Sequence, residues 1–462
     1  MQKFKYILIL ILTFIFGGCF KKSDIQEIDS FKEAQTTLDK ADKNTLVIFD
    51  IDRTLTVPAN VFLQHWFFDT DIGKQFVHET NEHIDSQENP KEYGKLIRSK
   101  RKLAFTDQPI ESITVDLVKQ LQNRGIKVIA LTYYKTGGMG LISSLPQWRY
   151  EKLKEIGIDF SRNLAPQNVS LPQFTSKKGR HPVFYKGILL TELFAKGDVL
   201  GTFLDTLNWK PHDTIFFDDT LEHLKSVKKE MKKRNIPFQG YLYKGAQHLP
   251  HEIDEEILEI QLQHLKDHDE FLSDKDAYKK RNPSLLEIFK TNDGKVIEIE
   301  PIKKDLNNDK KVFIDAFTEL YREYPDVMKQ ALEYFETLEK FLEFAFEDYE
   351  KKEFEAHKPD SYFLHALYHH KPVGYLSFEI KDDSAFIRNL AILPTFKGKS
   401  IGRELTKSIF KLRPDIHKAN LVVSRANIPA IEFYKKLGFT ESDKSPLNID
   451  KKTWTSMELV TN

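Results

Sequence analysis

Two largely apolar runs that each end in a pair of aspartates constrain the fold of this 462-residue chain more than any other feature. Residues 45–49 and 213–217 have the composition of strands buried on both faces of a parallel sheet. The carboxylates that follow these runs are Asp50 with Asp52, and Asp218 with Asp219. Open α/β sheets bind ligands at the carboxyl ends of their strands, so we expect these four carboxylates at one ligand-binding edge.

Further predicted strands and helices alternate with these two runs. Residues 126–131 form a third apolar run that ends at Thr132, and residues 113–121 have helical apolar spacing. A helix-like segment begins at Lys196, and another strand is expected over residues 241–243. The alternation predicts an α/β fold with a doubly wound parallel sheet.

Paired carboxylates at such an edge have a clear chemical use. One carboxylate can attack a phosphorus atom, and the other can act as acid and base for the leaving group and the water. A Mg²⁺ ion can neutralise the charge between them, and oxygen-only ligands suit this hard cation.

Four motifs in this order resemble the haloacid dehalogenase (HAD) superfamily of phosphohydrolases: FDIDRTLT, the threonine of ALTYY, a lysine at a helix start, and FFDDT. The resemblance implies a HAD-like Rossmannoid domain over residues 30–285. It implies that Asp50 is the nucleophile that forms an aspartyl-phosphate, and that Asp52 is the general acid and base. Thr132 and Lys196 would hold the phosphoryl group of a phosphorylated small-molecule substrate. An acid at position 52 favours phosphatase over dehalogenase chemistry.

The same resemblance implies a Mg²⁺ site. Its ligands would be Asp50, the backbone carbonyl of Asp52, Asp218 and Asp219. The sequence departs from the family pattern at Arg53, where glycine is common. Lys196 is assigned by its position, and Lys186 is a rival for the same role.

An insert over about residues 57–107 occupies the position of the family's cap, which sets substrate size. Its aromatic residues between 62 and 68 are interpreted as cap core, and a role for His65 as a substrate ligand is left open. The glycines at 137, 138 and 140 could cradle a phosphate. No Lys-Ser or Lys-Thr pair follows them, so a flexible loop is favoured.

The pattern changes after a helix expected within residues 251–272. The charge-rich stretch 273–282 marks the predicted domain boundary, and a second domain is expected over residues 294–460. The elements expected there are a strand at 296–302, two aromatic-rich helical stretches over 310–354, and an antiparallel hairpin with strands at 362–368 and 373–380.

A strand, a loop with glycines and lysines, and a helix start follow one another over residues 385–404. Backbone amides and the helix dipole at such a loop face an anion such as a pyrophosphate. The motifs NLAILPTFKGKSIG and NIPAIEFYKKLGF resemble the GNAT family of acetyl-CoA-dependent N-acetyltransferases. The resemblance implies an α+β domain with a mixed, mainly antiparallel sheet over residues 294–460. The residues that this resemblance assigns to acetyl-CoA are Leu390, Ile392, Lys397, Gly398, Lys399, Ser400, Ile401, Gly402 and Asn427.

The GNAT resemblance also implies an amine as acetyl acceptor and Tyr434 as the group that protonates the departing thiolate. A phenol with a pKa of about 10 has a basicity similar to that of the thiolate. Core packing beside Phe433 and Phe439 is the alternative for this tyrosine. Lys397 stands where glutamine or arginine is usual, and Ser400 where glycine is usual. No general base can be named, and the candidates are Glu379, Asp382 and Asp383.

The first nineteen residues predict a secretory signal. Two lysines precede an apolar run over residues 6–16, which is too short to span a bilayer comfortably. Two glycines and the lone cysteine, Cys19, resemble a bacterial lipoprotein lipobox, although Phe16 replaces the usual leucine. We therefore expect a lipid on Cys19 and a membrane-anchored lipoprotein of the bacterial cell envelope. An uncleaved anchor, a cysteine that is buried by chance, and export into the cytosol of another cell are alternatives.

The charge balance argues against nucleic acid as a partner. The chain has 69 basic and 69 acidic residues, whereas phosphate binding needs a clustered basic surface. The basic run Arg98–Lys102 is interpreted as a solvated helix face, with phosphate contacts left open. A single cysteine excludes an intramolecular disulfide and a thiolate metal cluster.

The sequence therefore predicts a bifunctional envelope-associated enzyme. It would combine a Mg²⁺-dependent phosphatase with an acetyl-CoA-dependent N-acetyltransferase. One alternative is an active acetyltransferase with a HAD-like binding or scaffold module, and another is a GNAT fold that no longer binds acetyl-CoA. The two halves conflict in location, because acetyl-CoA is not expected outside the cytoplasm.

Overall fold

The computed structural model describes residues 24–162, 168–323, 325, 335–445, 447 and 449–461. The predicted signal segment and Cys19 lie outside these residues. The chain divides into two compact units, which we call the first unit (Met1–Val57 with Asp107–His248) and the second unit (Pro58–Thr106 with Leu249–Asn462). No helix within the described part of the chain is both long and apolar enough to cross a membrane.

The first unit is built on one large sheet. The strands up to residue 248 are β1 (Ile25–Ile28), β2 (Thr45–Phe49), β3 (Thr56–Pro58), β4 (Asp107–Pro109), β5 (Lys127–Thr132), β6 (Asn168–Ser170), β7 (Val183–Tyr185), β8 (Ile188–Leu190), β9 (Asp213–Asp218) and β10 (Phe238–Tyr243). Among the described residues, the sheet has the order β1-β10-β9-β2-β5-β8-β7-β6, and β3 and β4 form a separate pair. Adjacent strands from β1 to β8 in this order run parallel.

The expectation of a wholly parallel sheet was wrong at one edge. Strands β7 and β6 are antiparallel to their neighbours, so the sheet is mixed. The two residues between β7 and β8, Lys186 and Gly187, both have positive φ angles of 46° and 87°. Such a pair forms a tight hairpin turn, so the chain returns at once beside the strand that it has just made.

Helices cover the strands on both faces. The helices up to residue 248 are α1 (Gln35–Lys40), α2 (Asp71–Asp85), α3 (Pro90–Ala104), α4 (Thr114–Asn123), α5 (Leu145–Glu155), α6 (Lys196–Thr206) and α7 (Leu221–Lys233), of which α2 and α3 belong to the insert. Val47 and Phe49 pack in one hydrophobic core, and Leu46 and Ile48 pack in another. These four residues belong to β2, and burial on both of its faces explains why polar and apolar residues do not alternate along them.

The register of the central strands brings their ends together. Phe49 pairs with Ala130 on one side and with Phe217 on the other. The backbone N–H of Asp50 donates to the carbonyl of Phe217 over 2.8 Å. Asp50 therefore lies level with Asp218 at the carboxyl edge.

The second unit has its own sheet. Its strands are β11 (Glu287–Lys290), β12 (Val296–Pro301), β13 (Ser361–Tyr368), β14 (Lys371–Lys381), β15 (Ser384–Ile392), β16 (Lys418–Ser424), β17 (Thr440–Ser442) and β18 (Trp454–Val460). Their order within the described residues is β11-β12-β13-β14-β15-β16-β18-β17, and β15 and β16 are the parallel neighbours. The mixed, mainly antiparallel sheet that we expected is confirmed, including the hairpin of β13 and β14.

The helices of the second unit beyond the insert follow the predicted pattern except at α9, which lies where the domain boundary was expected. They are α8 (Glu255–His268), α9 (Asp274–Arg281), α10 (Lys310–Glu323), α11 (Leu338–Phe344), α12 (Lys352–Glu355), α13 (Ile401–Leu412) and α14 (Ile428–Lys436), with a π-helical stretch (Ala345–Lys351) between α11 and α12. Strand β15 pairs with β16 over Ser384–Ile387 and then continues beside β14 alone. A bulge at this point leaves Arg388 without an opposite residue in β14. The later half of β15 thus presents an open edge.

The predicted domain boundary does not have the structure of a linker. Residues 274–281 form α9, which Ser273 caps by accepting a hydrogen bond from the backbone N–H of Asp276. Ala277 and Tyr278 of this helix are buried beside Ile257 of α8. Several of the charged side chains that suggested a linker are exposed, such as Lys279 and Lys280, whereas Arg281 is mostly buried and pairs with Asp254 and Glu298.

The insert groups with residues 249–462, whereas the sequence placed it inside the first domain. The reason is an aromatic core that α8 completes. Its buried members are Phe62, Phe67, Phe76, Phe105, Leu258 and Leu262.

Candidate functional site

Lys196 joins two of the predicted carboxylates in the interior of the first unit. It is the first residue of α6, and its side chain is fully buried. Its Nζ donates to Asp50 Oδ1 over 2.5 Å and to Asp218 Oδ2 over 2.6 Å. Three residues far apart in the sequence thus form one charged cluster.

Burial and the neighbouring charges shift the pKa values of the three groups in this cluster. Burial raises the pKa of Asp50 well above its usual range, although the Lys196 charge acts to lower it. Burial acts to lower the pKa of Lys196, but the carboxylates of Asp50 and Asp218 outweigh this effect and raise it. Burial acts to raise the pKa of Asp218, yet Lys196 and His223 hold it below its usual range. The ammonium group is therefore a fixed positive charge among acids.

Asp218 has two further partners. Its Oδ1 accepts a hydrogen bond from the backbone N–H of Thr220 over 2.8 Å and lies 3.2 Å from His223 Nδ1. His223 lies in the first turn of α7, and the sequence analysis did not identify it. One feature of the sequence could have indicated His223. It lies five residues after Asp218, and the first turn of a helix that follows a strand lies near the end of that strand.

Asp52 is paired with an arginine that the sequence analysis also missed. Arg149 of α5 is buried and donates through Nη2 to both carboxylate oxygens of Asp52, over 3.0 and 2.9 Å. Its Nη1 lies 3.5 Å from Asp107, and its guanidinium lies 4.7 Å from the centre of the Tyr134 ring. The side chain of Asp52 is 49% exposed, so it faces the opening of the site.

Arg53 stands where glycine is common in the family pattern, and its backbone conformation and ion pair account for this difference. It has a φ of 63°, which is the left-handed region that favours glycine. Its guanidinium lies 2.9 Å from the carboxylate of Asp219. Burial raises the pKa of Asp219, although the Arg53 charge acts to lower it.

Thr132 and the two rival lysines differ in what surrounds them. Thr132 is buried at the end of β5, and its carbonyl accepts a hydrogen bond from Thr191. Lys186 lies in the β7–β8 turn, and its Nζ is 4.6 Å from the centre of the Tyr150 ring. Of the two lysines, Lys196 is the one that the structure brings to the carboxylates.

The carboxylates of Asp50, Asp218 and Asp219 fit a hard cation. Each of the three offers an oxygen, and these oxygens all lie within 4.8 Å of one another. A set of carboxylate oxygens at one edge suits Mg²⁺. The side chain of Asp52 points instead to Arg149, which is compatible with a role for its backbone carbonyl.

Two other predicted features have local partners of their own. The side chain of His65 is 66% exposed and lies 3.9 Å from Asp69. Arg180 donates to the carbonyl oxygens of Thr136 and Gly138 over 2.8 and 3.1 Å, so the glycine-containing loop is held by its own chain.

The second candidate site is the loop before α13. Gly398 and Ser400 have φ angles of 74° and 65°, and the helix begins at the next residue, Ile401. The backbone turns sharply here and leaves the first amides of a helix, which have no partners inside the helix, facing outward. The ammonium groups of the two loop lysines bind acids of the same unit, Lys397 with Glu319 and Lys399 with Asp293. Backbone amides are therefore the donors that the loop offers.

Asn427 and Tyr434 have structural surroundings of their own. The Asn427 side chain caps α14 by accepting a hydrogen bond from Ala430 over 3.2 Å. Its amide nitrogen is not used by this cap. Tyr434 packs between Phe433 and Phe439, and burial raises its pKa above the usual value. The match in basicity between phenol and thiolate is absent in this state, and the catalytic role of Tyr434 stays a prediction.

The three candidate general bases lie at the outer end of the β14–β15 hairpin. Glu379 pairs with Lys381 over 2.6 Å, and Asp383 pairs with Lys418 over 2.9 Å. Asp382 has a φ of 55° in the turn. None of these three side chains is buried.

The structure contains a buried acidic network that the sequence analysis missed. Glu350 of the π-helical stretch has no solvent exposure, and its Oε1 and Oε2 accept from Asn389 (2.9 Å) and the Tyr375 hydroxyl (2.5 Å). Arg388, at the bulge of β15, lies 3.8 Å from Glu350 and 3.5 Å from Glu353. Hydrophobic spacing carried no signal for this contact, because it joins a helix to a bulge.

Comparisons with known proteins agree with a chain of two parts. The model of the family described as "Protein of unknown function (DUF2608)" matches residues 27–278, and that of the acetyltransferase (GNAT) family matches residues 316–439. An uncharacterised protein of Rickettsia prowazekii (strain Madrid E) is 26% identical over 276 residues, which is 59% of this chain and 96% of the relative.

Further similarities are to acetyltransferases. A Bacillus subtilis (strain 168) protein named as a [ribosomal protein bS18]-alanine N-acetyltransferase is 39% identical over 67 residues, covering 14% of this chain and 44% of the relative. The crystal structure of the PaiA N-acetyltransferase from Thermoplasma acidophilum in complex with coenzyme A is 21% identical, with a TM-score of 0.29, over 36% of this chain and 98% of that one.

Proposed function

This chain belongs to the DUF2608 family and carries a C-terminal GNAT acetyltransferase domain, and on that premise we propose that it is an enzyme with two activities. The first unit would be a Mg²⁺-dependent phosphatase of HAD-like chemistry. The second would transfer an acetyl group from acetyl-CoA to an amine. The observation that carries the first activity is the junction of Asp50, Lys196 and Asp218 beside Asp219.

The phosphatase reaction follows from the positions of two aspartates. A carboxylate oxygen of Asp50 attacks phosphorus, the bond to the leaving oxygen breaks, and that oxygen takes a proton from Asp52. Water then attacks the aspartyl-phosphate and gives its proton to Asp52, which releases phosphate and restores Asp50. When bound by Asp50, Asp218 and Asp219, Mg²⁺ would neutralise charge on the phosphoryl oxygens. Lys196 supplies a further positive charge there.

Arg149 adds a condition to this reaction. It holds both oxygens of Asp52, so this pair must open on one side before Asp52 can pass a proton to the leaving group. This observation also favours the second candidate, in which the first unit binds a phosphorylated ligand without hydrolysing it. Turnover measurements separate the two.

The proposed acetyl transfer rests on the GNAT domain and on the loop before α13. The amides at the start of α13 would hold the pyrophosphate of acetyl-CoA, and the open edge of β15 at Leu390 and Ile392 would pair with its pantetheine arm. The amine nitrogen attacks the acetyl carbonyl, the carbon–sulfur bond breaks, and the thiolate takes a proton. The PaiA structure in complex with coenzyme A is consistent with this cofactor class.

We further propose that a lipid on Cys19 anchors the chain at the bacterial envelope. The support is the sequence of the first nineteen residues, with its charged start, short apolar run and lone cysteine. Metabolic labelling with a radioactive fatty acid tests it. The label should be incorporated into the wild-type protein, and absence of a difference between wild type and Cys19→Ser would reject the anchor.

The phosphatase activity is tested by phosphate release from a panel of phosphorylated metabolites, with Mg²⁺ or with EDTA. Asp50→Asn should abolish release, and Asp52→Asn should slow it by about 10²–10⁴-fold because it removes a general acid. Asp39→Asn, which changes an exposed aspartate of α1, is the matched control. Turnover by Asp50→Asn at the wild-type rate would contradict the mechanism. No release from any substrate would leave the binding role for the first unit.

Acetyl-CoA binding is tested by calorimetric titration of the full chain. Gly398→Asp places a negative charge at the expected pyrophosphate site and should weaken binding by about tenfold or more. Gly398→Asn is the matched control, because asparagine has the same shape, carries no charge and tolerates the left-handed backbone. Equal affinity in the two variants would show that the loop does not hold the pyrophosphate.

A further inference from the structure

A small apolar cavity is formed by the insert together with Phe271, which follows α8. Its volume is about 160 Å³, and its wall includes Phe62, Phe76, Ile84, Ile97 and Phe271. An apolar cavity of roughly 150 Å³ is large enough to bind benzene. The space therefore suits one ring or a chain of about six to eight carbons.

Two arginines line the same cavity. Arg98 and Arg101 are one turn apart on α3, so they lie on one face of the helix. Lys100 belongs to another contact, because its Nζ donates to the carbonyl of Asp269 over 2.9 Å. Within the basic run that was interpreted as a solvated face, Arg98 and Arg101 thus line the cavity, and Lys100 donates to a backbone carbonyl instead.

The absence of a side chain at Gly94 leaves room for the Arg98 guanidinium. A Cβ atom at Gly94 would lie 3.2 Å from Arg98 Nη2 and 3.3 Å from a methyl carbon of Ile84. The guanidinium therefore lies across the glycine, next to Ile84, which is part of the cavity wall. Glycine is unfavourable inside a helix, and here it makes room for a cation beside an apolar pocket.

We propose that this cavity binds an anion with a short apolar tail. The tail lies among the phenylalanine and isoleucine side chains, and a carboxylate or phosphate-type head lies at Arg98. Charge complementarity selects the anion, since a neutral head would gain no ion pair and a cationic head would be repelled. The site goes beyond the two proposed activities and does not depend on either.

Calorimetric titration of the full chain with four probes tests the ligand class. Octanoate carries a carboxylate, octylphosphonate a phosphate-type head that cannot be hydrolysed, octanol no charge, and butanoate a short tail. At least one of the two eight-carbon anions should bind about tenfold more tightly than octanol. Butanoate should bind about 250-fold more weakly than octanoate, because each of the four additional buried methylenes contributes about fourfold. If only octanoate or only octylphosphonate binds, the head group of that probe identifies the head group of the ligand.

Variants of the insert locate the site. Arg98→Gln and Gly94→Ala should weaken binding of the anions and leave that of octanol unchanged. Val77→Phe fills the cavity and should abolish binding of all three eight-carbon probes. Lys91→Gln, an exposed residue of the same helix, is the control and should bind as wild type does. Octanol binding as tightly as both anions, absence of any binding, or unchanged anion binding by Arg98→Gln would overturn the proposal. If Val77→Phe does not fold, Arg98→Gln still tests the proposal, because Arg98 is exposed and its replacement does not disturb the core.

Discussion

At the residue scale, Lys196 determines whether the carboxylate cluster can be buried at all. Asp50 and Asp218 lie in the interior with the Lys196 ammonium between them. Without a cation there, two acids would face each other in a medium of low polarity. Removal of one partner from a buried ion pair costs about 3–5 kcal/mol, because the remaining charge has no partner.

We therefore expect Lys196→Met to lower the free energy of unfolding of the first unit by about 3–5 kcal/mol. Mg²⁺ should restore part of this loss in the variant, since a cation held by the aspartates neutralises the same charges. Urea unfolding with and without Mg²⁺ measures both effects. Lys186→Met is the control and should change stability by less than about 0.5 kcal/mol. Equal stability of Lys196→Met and wild type would contradict the role given to this lysine.

His365 gives the second unit a pH dependence. It lies on β13 between Asp309 and Glu300, with its ring nitrogens 3.2 and 3.3 Å from their carboxylates. Burial acts to lower the pKa of His365, but hydrogen bonds to the two acids outweigh it and raise the pKa to about 9. The charged imidazolium is thus favoured in the folded state.

The second unit should lose stability as the pH rises from about 6.5 to about 9. A histidine whose pKa is raised on folding stabilises fully below its unfolded pKa of about 6.5, and this contribution is lost as the pH rises through the folded value. The loss should approach about 3 kcal/mol. Unfolding of wild type and His365→Gln at about pH 6 and about pH 9.5 isolates it. If the difference between the two proteins is the same at both pH values, the imidazolium is not the cause.

At the element scale, α6 and α7 approach closely through glycine. A Cβ atom at Gly197 would lie 2.2 Å from the backbone oxygen of Ser226, and the N–H of Gly197 donates to the Ser226 hydroxyl over 3.0 Å. At Gly201 the nearest atom, at 2.3 Å, is the end of the flexible Glu230 side chain. The first contact fixes the backbone next to Lys196, and the second can adjust.

Gly197→Ala is expected to destabilise the first unit by about 1–3 kcal/mol and to displace Lys196, because the helices must move apart. Gly201→Ala should cost less, since a side chain can move instead of the backbone. Thermal unfolding of the two variants compares the costs directly. A larger loss for Gly201→Ala than for Gly197→Ala would show that the backbone contact does not control the packing of α6 on α7.

At the scale of the whole molecule, each proposed activity belongs to one unit. The residues assigned to phosphate chemistry lie in Met1–Val57 and Asp107–His248, and those assigned to acetyl-CoA lie within Leu249–Asn462. No proposed site draws residues from both.

The two activities should therefore respond to mutation independently. Asp50→Asn should leave acetyl transfer within about twofold of wild type, and Gly398→Asp should leave phosphate release equally unchanged, since the two sets of residues belong to separate compact units and share no member. Both assays on both variants form the test. A large cross-effect in either direction would mean that the two reactions share a step.

The sequence by itself determined the strands and the carboxylates at their ends. Residues 46–49 of β2 are all apolar because both faces of the strand are buried, and this local pattern is visible without a structure. Likewise the β13–β14 hairpin followed from strand spacing and the turn, whereas the mixed sheet of the second unit was expected from the resemblance to the GNAT family. The HAD resemblance and the assigned residue roles stay predictions.

Only the tertiary structure decided which side chains meet. The pairing of Arg149 with Asp52, the contact of His223 with Asp218 and the burial of Glu350 join residues from separate elements. Periodicity along a chain reports whether a residue is buried, but it does not report what lies opposite, which depends on register and packing between elements. The charged helix α9 shows the same limit, because its few buried residues find their partners in α8.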